Sequence, residues 1–163
     1  MTDEIRIVFD RETLSEYLKH YFGKYPKRRV APIKGPIPPS LNQWSTMPRH
    51  QANDSKQKWK EFGEWVVENY GLSNRKIGLC DVEVQYYYGD KRRRDLDNYG
   101  TKQVFDAFVD SGFFVDDDYR HVQSLTFRGG YCKGKPSMEF LIIPRENGED
   151  EDAEKNIQEG DDQ

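Results

Sequence analysis

"CDVEVQYYYGDKRRRDLDN", residues 80–98, decides how this chain must be built. Cys80, Val82, Val84, Tyr86 and Tyr88 fall on one side of an alternating pattern, and Asp81, Glu83, Gln85 and Tyr87 on the other. A period of two predicts a half-buried strand, here over residues 77–88. Lys91, Arg92, Arg93 and Arg94 then run into Asp95 and Asp97, which bracket one leucine. A surface charged only for solubility mixes its signs loosely. Cations and acids packed this closely suit a place that holds a polyanion beside a metal ion.

Downstream the period becomes helical. A helix is predicted from Asn98 to about Asp110, with Val104, Phe105, Phe108 and Val109 toward the core and Gly112 as its stop. "FFV" leads from there into Asp116, Asp117 and Asp118. "HVQSLTFRG" and "SMEFLIIP" read as two strands, and the glycine-rich "GYCKGK" between them predicts a hairpin.

Upstream, "IRIVF" at residues 5–9 reads as a short strand. An amphipathic helix follows, with Leu14, Tyr17, Leu18, Tyr21 and Phe22 on its apolar stripe. Its cap is either a Thr13–Glu16 capping box or Asp10, and Gly23 is its stop. Residues 24–40 carry five prolines and five cations and predict an irregular connector. "PPSLNQWSTMPRHQ" reads mostly as loop. A helix then runs from about Lys56 to Tyr70, burying Trp59, Phe62, Trp65, Val66 and Tyr70 and ending at Gly71. Two or three helices with a mainly antiparallel or mixed sheet make this an α+β domain.

The 163 residues suffice for one domain with a core. No apolar run approaches the ~18 residues of a membrane span. The start lacks the basic and apolar regions of a secretory signal. Cys80 and Cys132 are the only cysteines, read as free, buried thiols of a reducing, cytoplasmic setting. The net charge of −4 conceals a division. Residues 145–163 hold nine acids against two bases, a net of −7, and residues 1–144 hold 20 acids against 23 bases, a net of +3. A mildly basic body permits nucleic-acid binding. The tail has too little apolar bulk to order itself and reads as a solubiliser or as a polyanion competing for the basic surface. The chain divides into an extension (1–35), a core domain (36–144) and an acidic, disordered tail (145–163).

Alternation along a strand end turns Asp95 and Asp97 to one side and Leu96 to the core. Two hard oxygen donors begin a Mg²⁺ site, which two or three carboxylates and a substrate phosphate complete. The triplet at 116–118 is the source of the third. It returns to the helix's start if the next strand pairs beside the first. Clustered carboxylates raise one another's pKa, so they call for a cation. Arg92, Arg93 and Arg94 supply counter-charge for phosphates. Lys27, Arg28 and Arg29 are either a second phosphate-contacting patch or a solvated linker. Plainer alternatives exist: Asp97 as an N-cap and the triplet as an acidic turn. An EF-hand loop is rejected, since Tyr99 and Lys102 stand where an oxygen ligand and a hydrophobe belong. His20, His50 and His121 show no ligand spacing; His121, near the acidic triplet, reads as a strand-start residue, with assistance to a phosphate as its alternative role.

"RRRDLDNYGTKQVFDAFVDSGFFVDDD" resembles the signature of the RusA family of Holliday junction resolvases. "RRRDLDN", "VFDAF" and "SGFFVDD" match in order, and "PIPPSLNQW" is similar to the family's Pro-Pro-Ser-x-Asn segment. The likeness covers roughly residues 36–143. It implies a homodimeric α+β nuclease that uses Mg²⁺, with Mn²⁺ as substitute, and cuts branched DNA such as the four-way junction. It requires no membrane and no small-molecule cofactor. It carries over Asp95, Asp97 and Asp117 as metal ligands and Lys102 as the catalytic lysine. Lys102 stands five residues after Asp97, where the family has four, so one residue is inserted between Asn98 and Thr101. Gly100 is expected to absorb it by delaying the helix start or by a bulge. A surface pair with Asp106 is the alternative role of Lys102. The inserted residue, the extension and the tail also fit a non-catalytic junction-binding protein, or a phage or prophage accessory factor.

Overall fold

A computed structural model describes residues 3–146. The elements are β1 (Ile5–Phe9), α1 (Arg11–Lys24), α2 (Leu41–Thr46), α3 (Arg49–Asn69), β2 (Cys80–Tyr88), a 3-10 turn (Leu96–Asn98), α4 (Lys102–Asp110), β3 (Val122–Tyr131) and β4 (Ser137–Pro144). The domain is α+β, with four helices and a four-stranded mixed sheet in the order β1-β4-β2-β3. Apart from Arg145 and Glu146, the acidic tail lies outside the described residues.

The alternation in β2 becomes its burial. Cys80, Val82, Val84 and Tyr86 are buried, and the residues between them are partly open. Met138, Phe140 and Ile142 of β4 and Ile7 and Phe9 of β1 extend the same apolar face. The helices cover it. Phe108 of α4 lies edge-on to Phe140 at 5.3 Å, and Phe62 of α3 edge-on to Phe9 at 5.4 Å. α3 and α4 approach closely because Gly63 presents no side chain: a Cβ there would lie 2.8 Å from that of Ala107.

Two sequence expectations are corrected. β3 and β4 do not form a hairpin. β3 pairs with β2 in parallel, β4 pairs with β2 antiparallel, and β2 separates them. The connection steps across the end of β2, where the Cys132 and Gly134 N–H groups donate to Tyr88 and Gly89 carbonyls. Burial explains the choice. β4 offers three fully buried apolar residues and takes a central place, whereas β3, with Gly129–Gly130 and Leu125 43% exposed, takes an edge. The parallel β2–β3 pair is what a crossover through α4 produces.

The second correction concerns the stretch read as loop. α2 forms there, closed by a capping box in which Ser40 and Gln43 satisfy each other's backbone N–H groups. α3 likewise begins at Arg49, two turns before its apolar stripe does. At α1, Asp10 is the cap, its Oδ1 accepting the Thr13 N–H at 2.8 Å. Gly112 ends α4 with φ +73, a conformation L side chains resist, and leaves no room for a Cβ against Asn74.

The extension and the end of β4 are both built into the sheet. β1 pairs with β4 from Ile5 to Phe9. Arg145 donates from Nε and Nη2 to the two Asp81 oxygens at 2.7 and 3.0 Å. The Arg145 guanidinium, joined by the Ser124 hydroxyl, holds the Asp81 carboxyl below the usual aspartate range despite its partial burial. A carboxyl depressed by folding stabilises above its unfolded pKa, and that contribution is lost as pH falls through the lower folded value. Asp81→Asn should therefore cost about 1–2 kcal/mol at pH 7. The gap between the urea midpoints of variant and wild type should close as pH drops below about 4.

Candidate active site

The charged loop is shaped by its own ion pairs. Asp90 accepts the Arg92 N–H at 2.9 Å and a two-pronged contact from Arg94 at 2.7 and 3.1 Å. Arg94 holds the Asp90 carboxyl down at about 2. The Arg94 guanidinium also lies 4.7 Å over the Tyr88 ring. Its donors are thus engaged in forming the loop, whereas Arg92 and Arg93 are exposed. Arg93 Nε stands 3.7 Å from Asp95 Oδ1. Of the upstream cations, Arg28 donates to the Tyr21 hydroxyl at 2.6 Å and stacks 4.2 Å over Tyr25, which ties it to the end of α1. Lys27 and Arg29 are exposed.

Asp95 and Asp97 are exposed and Leu96 between them is partly buried, packed over Gly129 of β3, where a Cβ would lie 3.0 Å from Leu96 Cδ2. Asp97 is inside the 3-10 turn and caps no α-helix, because α4 begins two residues after Gly100 with Thr101 before it. The helix start is thus delayed from Asn98 to Lys102. Tyr99 is extended, bridges to Ser40, and packs its ring 4.9 Å from Tyr86 and 5.7 Å from Tyr88. Asn98 Oδ1 accepts the Asn42 N–H at 3.2 Å, fastening the turn to α2. Gly100 serves close approach rather than a left-handed backbone: a Cβ there would lie 2.0 Å from Trp44 Cζ3.

The acidic triplet is a turn pinned at both ends. Val115 N–H donates to Ile77 O before it, and Cys80 N–H donates to His121 O after it. Its three members face different neighbours. Asp116 Oδ1 accepts the Asp117 N–H at 2.7 Å. Asp118 lies 2.5 Å from His121 Nδ1 and 3.2 Å from Arg120 Nε, and the His121 contact holds its carboxyl down. Asp117 is partly buried and faces α4. Burial, then Asp106, push its carboxyl up, Lys102 pulls it down, and Asp116 pushes it up again. Lys102 Nζ itself lies 3.3 Å from Asp106 Oδ1. The charges of Asp106 and Lys102 on α4 are thus felt at Asp117, as the return of the chain to pair β3 beside β2 allows.

Asp95, Asp97 and Asp117 do not place oxygens within 4.8 Å of one another. Among the described residues, the group of three donors that does is Asp116, Asp118 and His121. Sequence reading set His121 near the triplet but not among the metal donors, because its approach to Asp118 is a property of the turn, although their three-residue spacing was visible. No helix among the described residues is long and apolar enough to cross a membrane.

No family model matches the chain. Curated relatives do. It is 34% identical over 104 residues to the crossover junction endodeoxyribonuclease RusA of Escherichia coli K12, covering 58% of this chain and 83% of that protein. The same figures hold for the RusA of Shigella sonnei. The rusA crossover junction endodeoxyribonuclease of Enterobacteria phage 82 is 33% identical over 102 residues, again covering 58% and 83%.

Proposed function

The chain belongs to the RusA family of crossover junction endodeoxyribonucleases, and from that premise we propose that it cuts four-way junctions and related branched DNA with the help of a divalent metal. What supports the reading most is the β2–α4–β3 crossover, which sets Asp117 beside the helix that follows Asp95 and Asp97. These three residues would hold Mg²⁺. In its chemistry the donor set fits a hard cation, being all oxygen with one carboxylate partly buried near other acids, and the ion would have to draw the three closer than they stand. The bound metal supplies polarisation of the scissile phosphate and a water of lowered pKa.

The protein's own residues do the rest. Asp106 holds the Lys102 ammonium at 3.3 Å, on the side of α4 that Asp117 faces. From there Lys102 stabilises charge growing on the phosphate oxygens. Arg92 and Arg93 take up flanking phosphates, with Lys27 and Arg29 as outlying contacts. Asp90 keeps the loop in shape through Arg94. A two-fold dimer presents two such sites, which suits paired nicks on a four-way junction.

The test is nicking of a synthetic four-way junction. Cleavage is expected with Mg²⁺ or Mn²⁺ and none in chelator. Junction binding without cleavage under any divalent ion would instead mark a non-catalytic binder that kept the fold. Anomalous scattering from a Mn²⁺-soaked crystal should place the ion on Asp95, Asp97 and Asp117, and an ion on Asp116, Asp118 and His121 would move the assignment.

A further inference from the structure

We propose that the loop Cys132–Pro136, through Lys133 and Lys135, is a second phosphate-binding element that carries one arm of a branched DNA away from the Asp95 end of the site. The inference rests on the nuclease reading and adds to it a surface that lies 38 residues downstream of the motif. The hairpin expectation hid it, because it treated this loop as a simple turn between neighbouring strands.

The tertiary structure joins the loop to the arginine loop. Cys132 N–H donates to Tyr88 O and Gly134 N–H to Gly89 O, both at 2.9 Å, so the two loops leave the same end of the sheet side by side. A Cβ on Gly89 would lie 3.2 Å from Pro136 Cδ, which shows how tightly they are laced. Lys91 Nζ sits 5.1 Å over the Tyr131 ring, bridging them again. The downstream loop is held in shape by the Lys135 N–H to Cys132 O bond, by Gly134 at φ +65, and by Arg11 donating to Gly134 O at 2.9 Å.

Lys133 and Lys135 are exposed and neither has an ion-pair partner among the described residues. They flank a glycine with no side chain to hold a backbone away. Lys135 lines one cleft beside this loop, with Arg11, Tyr87 and Tyr131, and two further clefts lie toward Asp95. One cleft lies among Ser40, Arg93, Asp95 and Asn98, and a second among Gly35, Gly134 and Pro136, and both include Gln43, Arg94 and Tyr99 in their walls. Cations therefore stand on both of the loops that leave this end of the sheet. Such spacing follows a phosphodiester backbone rather than a single anion.

The experiment uses the full chain and a synthetic four-way junction without divalent ions, with affinity measured across a salt series. Lys133→Gln/Lys135→Gln should weaken binding and make the log–log salt slope shallower by about 2, near one unit per lost phosphate contact. An unchanged slope overturns the proposal, whether or not affinity falls. Arg92→Gln/Arg93→Gln is the comparison. If that pair moves the slope and the lysine pair does not, this inference alone fails, and if the wild type binds no junction, the nuclease reading fails with it. Cys132 gives a second readout, because it is exposed whereas Cys80 is buried with its thiol pushed up to about 12. DNA bearing a disulfide tether on an arm's backbone should form a mixed disulfide with wild type and none with Cys132→Ser. No adduct under binding conditions counts against the proposal.

Discussion

Asp97→Asn should leave the protein folded and slow junction nicking on the order of 10³-fold. Asparagine keeps the size of the side chain and one carbonyl oxygen but removes the charge that attracts a hard cation. Losing the metal's stabilisation of the reacting phosphate is worth several kcal/mol, and about 4 kcal/mol corresponds to roughly 10³ in rate. The fold should tolerate the change because Asp97 is exposed and caps no helix. Exposed substitutions of this kind usually stay within about 0.5 kcal/mol. Junction binding in the absence of divalent ions should persist or tighten slightly, since one negative charge has left the surface. Single-turnover nicking, with thermal unfolding in parallel, measures both halves of the expectation. Nicking within tenfold of wild type by a folded variant would remove Asp97 from the metal site.

The largest expected effect on stability comes from Gly100→Ala. The added methyl would lie 2.0, 2.7 and 3.0 Å from three ring carbons of Trp44, a residue only 4% exposed. The indole is hemmed in, because its Nε1 donates to Ser55 of α3 at 3.1 Å. It cannot yield without dragging α2 off the site turn. Overpacking of this severity costs about 3 kcal/mol, or roughly 6–12 °C for a chain of this size. Activity should fall as well, since α4 starts two residues later and carries Lys102 in its first turn. A double-mutant cycle tests the cause. Trp44→Leu makes room, so Gly100→Ala should cost much less on that background than on the wild type. Equal costs on both backgrounds would show that the indole is not what excludes the methyl.

These two residues also mark where sequence reading succeeds and where it stops. Asp97 was legible as a candidate ligand because Asp-x-Asp after an alternating strand is a local pattern, and its exposed place beside that strand follows from the same pattern. Gly100 was legible as an irregularity, since one inserted residue had to go somewhere, but its reason was not. The expectation was a delayed helix start or a bulge; the start is delayed, but what requires glycine there is the space that Trp44 fills. That tryptophan belongs to a six-residue helix with a Ser40–Gln43 capping box visible in the chain and an apolar pattern too short to recognise. The cations are also less alike than their run in the sequence suggests. "KRRR" looks like four equivalent charges, yet Asp90 claims Arg94, and Tyr21 and Tyr25 claim Arg28.

By itself the sequence determined β2, α4, the glycine stop at Gly112, the acidic turn and the order of the motifs, because each depends on residues a few positions apart. Only the tertiary structure decided that β4 enters the sheet between β1 and β2 and that the loop carrying Lys133 and Lys135 lies against the arginine loop. Periodicity reports how a segment buries its own face. Which edge a strand takes, and which neighbours a charge meets, depends on surfaces contributed by distant parts of the chain.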